Sequence, residues 1–346
     1  MLAADLDHIL DHTRQLWDDA RGGRVFVTGG TGFIGCWLLE SFAWANERLA
    51  LGAEMLVLTR NFAAFQEKAP HLAGRPDIRF HHGDVRDFEF PSGSFSHVIH
   101  AATEASAKLN DENPLLMLET IVAGTRLALD LAVQRGAKKF LLTSSGAVYG
   151  RQPSTLVRVS EDYPGGPDVA NPQSAYGEGK RVSELLCAIY ARQHGLEAKI
   201  ARCFAFVGPY LPLDTHFAIG NFIGDALAGR SIAVKGDGTP YRSYLYAADL
   251  AIWLWTILFR GAGSRPYNVG SPNPLTIAET AAAVSRSLGN VPIVISRKPA
   301  PGQPAQRYVP DTLRAQNELN LEQWVQLEDA IGRTAAWHRR ASILRR

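Results

Sequence analysis

The fold is decided by the stretch Val27-Thr28-Gly29-Gly30-Thr31-Gly32-Phe33-Ile34-Gly35. Residues 24–28, which lead into it, are mostly β-branched or aromatic and predict a buried parallel strand, while the apolar segment 33–44 predicts a helix. The glycines allow a sharp turn and a close approach of the backbone to a pyrophosphate, which the N–H groups of the helix N-terminus can bind. The stretch predicts a dinucleotide-binding turn, although glycine turns of this kind occur in other α/β proteins too.

A second motif opens a predicted helix and pairs a phenol with an ammonium group. Tyr176 and Lys180 are four residues apart, and apolar residues follow them at helical spacing. Residues four apart share one helix face, so Lys180 can lie beside the Tyr176 phenol and lower its pKa from roughly 10. We therefore expect Tyr176 to act as a base near neutral pH. The apolar strand 139–144 leads into Ser144 and Ser145, where an open α/β sheet binds its ligands.

Strands and helices alternate along most of the chain. Strands are expected near residues 24–28, 54–59, 78–82, 97–101, 139–144 and 197–206, with helices such as 113–135 and 174–193 between them. This alternation predicts an α/β protein with a Rossmann-type, doubly wound parallel sheet.

The pattern becomes irregular after residue 205, which predicts a smaller C-terminal lobe. We expect a helical N-terminal extension over residues 1–21 and a dinucleotide-binding domain over residues 22–205. Residues 206–346 are expected to form mainly a substrate-binding lobe, with segment 244–260 returning to the dinucleotide-binding domain.

The composition is typical of a globular chain with a large core. The 346 residues are 46% hydrophobic and 20% charged, and a formal net charge of +2 predicts no general attraction to nucleic acid. Cys36, Cys187 and Cys203 lack CxxC spacing, so we expect no disulfide framework, no metal site and a reducing cytoplasm. No run is long and uncharged enough to span a membrane, so we expect no membrane association.

Three motifs in this order carry a resemblance to a known family. The TGGxGxxG turn, the SSxxVYG strand end and the YxxxK helix together resemble the extended short-chain dehydrogenase/reductases of the nucleotide-sugar epimerase/dehydratase family, over residues 23–335. The resemblance implies an NAD(P)-dependent enzyme whose substrate is a nucleotide-diphosphate sugar. It also implies that Tyr176 removes a proton from a sugar hydroxyl as hydride leaves the same carbon, assisted by Ser145 and Lys180.

The cofactor contacts that we expect include an unusual end of the second strand. A carboxylate ordinarily binds the adenosine ribose there, but this chain has Thr59-Arg60-Asn61. An arginine in that place can pair with a 2′-phosphate, so we expect NADP to be preferred over NAD. The resemblance and the turn give these cofactor-binding positions: Gly29, Gly32, Phe33, Ile34, Gly35, Thr59, Arg60, Asn61, Asp84, Val85, Ala101, Ala102, Thr103, Tyr176 and Lys180.

The resemblance also implies contacts to the substrate. It assigns Asn221, Arg242 and Arg307 to the nucleotide diphosphate, and it sets Ser144 beside Ser145 at the sugar. Guanidinium groups suit phosphates because they stay charged and offer planar, bidentate donors.

The residues after Ser145 bear on the reaction. Dehydratases of this family generally carry Asp-Glu there and UDP-glucuronate decarboxylases carry Glu, whereas this chain has Gly146-Ala147. Small residues give a transient ketosugar room to rotate, so 4-epimerisation is favoured. The alternatives are an NADPH-dependent 4-ketosugar reductase, a 4,6-dehydratase that uses Glu104 as acid or base, and a dinucleotide-binding regulator without turnover.

Two further features depend on the resemblance. Many relatives carry an asparagine in a helix motif NVxGT, beneath the catalytic lysine, where this chain has Ile121 and ends the motif with Gly124-Thr125. Helices 113–135 and 174–193 pair across a two-fold axis in relatives, which implies a homodimer.

Overall fold

The computed structural model describes residues 2–103, 107–215 and 217–344. Its centre is a parallel sheet of seven strands. The strands are β1 (Arg24–Thr28), β2 (Glu54–Thr59), β3 (Ile78–His82), β4 (His97–His100), β5 (Lys139–Ser145), β6 (Glu197–Cys203) and β7 (Pro266–Val269). They lie in the order β7-β6-β5-β4-β1-β2-β3, so the chain reverses direction across the sheet beside β1 and makes a crevice at the strand ends.

Helices cover both faces of this sheet. The helices of the described residues, on the sheet and in the C-terminal lobe, are α1 (Ala3–Thr13), α2 (Phe33–Arg48), α3 (Phe62–Lys68), α4 (Pro70–Ala73), α5 (Ala107–Glu112), α6 (Pro114–Gln134), α7 (Ala175–His194), α8 (Ala218–Leu227), α9 (Ala247–Arg260), α10 (Ile277–Ser287), α11 (Leu313–Leu319) and α12 (Leu327–Leu344). Within β1, Val25 and Val27 pack into the core on the α2 and α9 side, while Phe26 packs into the core on the α6 side. This alternation follows from the two-residue period of a strand.

Local sequence signals begin and end the helices that carry the site. The Asn113 side chain accepts the backbone N–H of Leu116, and Pro114 takes the first helical position, so α6 begins there. Helix α7 ends at Gly195, which has the left-handed conformation that glycine tolerates best.

Apart from β7, which extends the sheet, the chain after residue 205 contains short paired strands outside it. Ile232–Val234 pairs with Ile293–Ile295, and Tyr241–Arg242 pairs with Leu275–Thr276. The backbone of Arg307 forms a bridge to Tyr241, which brings the segment around residue 308 back towards the sheet.

The N-terminal residues are part of the core. Leu6, Ile9 and Leu10 of α1 are buried, and Trp17 in the 3-10 helix Arg14–Ala20 packs against Trp255 of α9. The buried Asp5 carboxylate accepts a hydrogen bond from Tyr246 at 2.8 Å and pairs with Arg333 of α12 at 2.5 Å.

Helix α9 is buried on all sides, which explains its continuous apolar sequence. It packs against β5 and β6 as well as against α1 and α2. Its Asp249 accepts hydrogen bonds from the backbone of Trp324 and Val325 at 3.0 Å. Within the described ranges, we find no helix with the length and apolarity needed to cross a membrane.

The predicted fold class is confirmed, and the six predicted strands are present. Strand β6 ends at Cys203 instead of residue 206, because the chain leaves the sheet there and pairs Phe206–Val207 with Leu245–Tyr246. Strand β7 was not predicted. The division of the chain into domains stays a prediction.

Candidate active site

The glycine turn between β1 and α2 requires its glycines for close backbone contacts. Gly29 has a φ of +72°, and a Cβ there would lie 2.4 Å from the carbonyl of Ala101. A Cβ on Gly35 would lie 2.3 Å from the carbonyl oxygen of Gly29. The first N–H groups of α2 have no partner within the helix and carry partial positive charge. The turn therefore fits the pyrophosphate of a dinucleotide.

A cavity of about 960 Å³ brings the two motifs together. Its wall includes these predicted cofactor positions: Gly29, Gly32, Phe33, Ile34, Gly35, Ala101 and Thr103. It also includes Ser144, Ser145, Tyr176 and Lys180, so the phenol, the ammonium and the alcohol face the same space as the turn. The volume is sufficient for a cofactor end and a sugar together.

Tyr176 differs from expectation in its pKa. Burial raises the pKa of the phenol, and a hydrogen bond with Ser145 offsets only part of that rise. The expectation that this pKa is lowered was wrong, because the desolvation of the phenol outweighs the favourable contacts. Ser145 is itself fixed at the end of β5, where its Oγ accepts the N–H of Ala147 at 3.1 Å.

Lys180 is buried in the floor of the cavity. Its ammonium donates to the Thr103 hydroxyl at 2.6 Å and to the Thr143 carbonyl at 2.7 Å, and burial lowers the pKa of Lys180 to about 8. Ile121 is buried in α6 and lies so near Gly179 that a Cβ there would meet it at 3.2 Å. Where many relatives have an asparagine, Ile121 thus makes an apolar contact at Gly179, next to the lysine. One of the hydrogen bonds that Lys180 donates is accepted instead by Thr103.

A second phenol, which we did not predict, lies beside Ser145. The Tyr308 hydroxyl is 3.4 Å from Ser145 Oγ and 3.5 Å from the Cys203 carbonyl oxygen. Its ring lines the cavity and packs against the Phe204 ring at an interplanar angle of 39°, with 4.7 Å between ring centroids. The aromatic residue next to Arg307 was the available sequence signal, but the chain distance of more than 100 residues from Ser145 concealed the contact.

The adenosine end of the predicted cofactor site lies outside this cavity lining. The Arg60 guanidinium is 3.8 Å from the Asp84 carboxylate, and Arg86 also pairs with Asp84 at 2.8 Å. The Arg86 hydrogen bonds hold the pKa of Asp84 below its usual range. The Asn61 side chain caps α3, because its Oδ1 accepts the backbone N–H of Ala64. This oxygen is therefore already hydrogen-bonded within the protein. The lining of the cavity also lacks three other predicted cofactor positions, Thr59, Val85 and Ala102.

The predicted phosphate contacts do not all meet in the cavity. Arg242 lines it and lies 5.8 Å from the centroid of the Tyr308 ring. Arg307 instead lies over Tyr241 at 4.0 Å, and neither Arg307 nor Asn221 belongs to the lining. Among these three side chains, Arg242 is therefore the one that faces the cavity.

Ser144 lines the cavity, but its hydroxyl is hydrogen-bonded to a neighbouring helix. It donates to Glu184 of α7 at 2.6 Å, and Glu184 is paired with the half-buried Arg202 at 2.7 Å. This network ties β5 to α7 and β6, and so fixes the spacing between the strand that carries Ser145 and the helix that carries Tyr176.

The positions after Ser145 carry no acid. Ala147 lines the cavity, and a Cβ on Gly146 would lie 2.7 Å from the Phe204 ring, which fills the adjoining space. Glu104, the predicted acid or base of a dehydratase, lies outside the described residues.

Comparisons with known proteins identify the family. Residues 25–270 match the model of the NAD dependent epimerase/dehydratase family. UDP-glucuronic acid decarboxylase 6 of Arabidopsis thaliana is 33% identical to the chain over 309 residues, which cover 89% of this chain and 86% of that protein.

Two solved structures agree with the family and the fold. One is a dTDP-glucose 4,6-dehydratase from Streptomyces venezuelae with NAD bound, which is 28% identical with a TM-score of 0.76 over 92% of this chain and 97% of its own. The other is the UDP-glucose 4-epimerase of Thermus thermophilus in complex with NAD, which is 27% identical with a TM-score of 0.76 over 91% of this chain and 99% of its own. The chain belongs to the NAD-dependent epimerase/dehydratase family.

Proposed function

We propose that the chain is a nucleotide-sugar 4-epimerase that acts through a transient ketosugar. The proposal is carried by one observation: Ser145, Tyr176 and Lys180 share a cavity with the glycine turn. Gly146 and Ala147 support it further, because they supply no carboxylate for an elimination.

In the proposed mechanism, Tyr176 is the residue that accepts and later returns the proton of the sugar hydroxyl. As phenolate, Tyr176 takes the proton of the sugar C4 hydroxyl, and Ser145 hydrogen-bonds the same oxygen. When bound, the nicotinamide supplies the acceptor and later the donor of the hydride. Lys180 in its protonated form stabilises the negative charge that develops on Tyr176. After the ketosugar has turned its other face to the cofactor, Tyr176 returns the proton to the oxygen.

A second candidate is the decarboxylation of a nucleotide-linked glucuronic acid, which the curated relatives favour by their names. Oxidation at C4 would make a β-keto acid, which loses carbon dioxide readily. Ala147 weighs against this candidate, because relatives of that kind carry a glutamate there.

A 4-ketosugar reductase is favoured only by Arg60, since net reduction commonly uses NADPH. A dehydratase is disfavoured, because the two positions directly after Ser145 hold Gly146 and Ala147 and carry no acid. A regulator without turnover is disfavoured, because Ser145, Tyr176 and Lys180 are all retained.

The test is product analysis by NMR with UDP-, dTDP-, GDP- and CDP-linked sugars, each with NAD and with NADP. We expect interconversion of 4-epimers without net consumption of cofactor. NADPH consumption equal to product formed would contradict epimerisation and favour the reductase. Release of carbon dioxide from UDP-glucuronic acid would favour the decarboxylase.

We also propose that NADP is preferred within this NAD-dependent family, on the strength of Arg60. In Arg60→Ala, the affinity for NADP is expected to fall roughly 10-fold, because one charge-assisted contact to the 2′-phosphate is lost. The affinity for NAD should change less than about twofold, which isothermal titration calorimetry can measure.

Arg79→Ala is the matched control, because Arg79 is also exposed but pairs with Glu54 at the opposite end of the sheet. Equal losses for NAD and NADP in Arg60→Ala would refute the proposed preference.

We propose a homodimer through α6 and α7. Leu115 on α6 and Leu185 on α7 are 64% and 60% exposed, and Val182 and Ile189 extend the apolar surface of α7. Ile121 does not contribute, since it is buried within the subunit.

A further inference from the structure

We propose that Tyr308 is a second catalytic hydroxyl, which donates a hydrogen bond to the sugar oxygen at the reacting carbon. This inference rests on the proposed oxidation of the sugar at C4. It concerns a residue of the C-terminal lobe that lies outside the Ser145, Tyr176 and Lys180 set.

The position of the hydroxyl supports this role. It lies 3.4 Å from Ser145 Oγ, and Tyr176 lines the same cavity as these two residues. A sugar oxygen that is bound by Ser145 therefore comes close to the Tyr308 hydroxyl. The Arg242 guanidinium lies over the Tyr308 ring, 5.8 Å from its centroid, and both side chains line the cavity.

The ring is held in place from several directions. It packs against the Phe204 ring, and the backbone N–H of Tyr308 donates to the Tyr241 carbonyl at 3.2 Å. The next residue, Val309, donates its backbone N–H to the Gln152 side chain at 3.0 Å. A hydroxyl on such a fixed ring is pre-oriented, which is the condition for an effective donor to developing charge.

The same aromatic pair fills the space that a side chain at position 146 would need. A Cβ on Gly146 would lie 2.7 Å from two atoms of the Phe204 ring. The acid that dehydratases carry at this position therefore has no room here, because Phe204 fills the space, and Phe204 in turn packs against the ring that carries the Tyr308 hydroxyl.

Tyr308 keeps its proton in the reaction that we infer. Burial raises the pKa of its phenol, so the hydroxyl remains a donor at neutral pH. The C4 hydroxyl proton passes to Tyr176 and the hydride leaves C4, so that the C–O bond becomes a carbonyl. Tyr308 and Ser145 then both donate to the carbonyl oxygen. When hydride returns, this oxygen becomes negative, the two hydrogen bonds strengthen, and Tyr176 returns the proton.

The test is Tyr308→Phe, which keeps the ring and its packing against Phe204. We expect kcat to fall roughly 10²-fold, as for the loss of one oxyanion donor, while the calorimetric affinity for the nucleotide sugar changes less than about threefold. We also expect a larger primary isotope effect with sugar deuterated at C4, because hydride transfer becomes slower relative to the other steps.

The matched control is Tyr267→Phe, whose hydroxyl donates to Glu318 at 3.0 Å outside the cavity. It should lower thermal stability and leave kcat unchanged. The proposal is overturned if kcat of Tyr308→Phe stays within about tenfold of the wild type or if the isotope effect does not rise. No conversion of any nucleotide sugar by the wild type would instead refute the proposed function, and this inference with it.

Discussion

In the Tyr176→Phe variant, kcat is expected to fall roughly 10²–10⁴-fold, because the group that exchanges the sugar proton is lost while the ring remains. The measurement is the initial rate of epimer formation under saturating cofactor. The affinity for the cofactor should fall much less than kcat, because the glycine turn is unaffected and Tyr176 is only one of the expected cofactor contacts.

The pH dependence provides a second measurement of the same prediction. Burial raises the pKa of Tyr176, and the phenolate is the proposed base, so wild-type kcat should rise with pH through neutrality. This rise should be absent from the residual activity of Tyr176→Phe.

Tyr190→Phe is the matched control on the same helix, since Tyr190 bonds Asp130 and does not line the cavity. Its kcat should equal that of the wild type. A Tyr176→Phe enzyme that retains more than about one tenth of wild-type kcat would show that Tyr176 is not the base.

The Gly35→Ala variant is expected to lose cofactor binding and to unfold more easily. Its Cβ would meet the Gly29 carbonyl oxygen at 2.3 Å, and the neighbouring atoms are backbone atoms that cannot move aside cheaply. We expect a loss of roughly 1–3 kcal/mol in the free energy of unfolding, as for other overpacked sites. Urea unfolding and calorimetric titration with NAD measure the two effects.

Gly332→Ala is the control, because Gly332 lies in α12 and its Cβ would have no neighbour within 4 Å. This change should stabilise the protein by roughly 0.5–1 kcal/mol, as alanine favours helices over glycine. Undiminished NAD affinity in Gly35→Ala would disprove the tight turn that we describe.

The sequence predicted the parts of the fold that depend on local patterns. Strands such as β1 and β5 are runs of apolar residues bounded by glycine or polar residues, and α6 carries its own cap at Asn113. Strand β7 could not be recognised, because it has four residues, begins with proline and owes its place to pairing with β6 over a long chain distance.

The candidate site was predicted less completely than the fold. The glycine turn and the pair Tyr176 and Lys180 are local motifs, and they do face one cavity. The pKa of Tyr176 was predicted in the wrong direction, because spacing along a helix carries no information on desolvation. Tyr308 was missed because its contact with Ser145 depends on the fold of the C-terminal lobe.

The ion pair between Asp5 in α1 and Arg333 in α12 has a consequence for synthesis on the ribosome. These two helices lie more than 300 residues apart along the chain, so the pair forms only after the residues between them have been translated. The apolar residues Leu6, Ile9 and Leu10 belong to a helix that packs mainly against α2 and α9, so they remain available to chaperones until α9 has been translated.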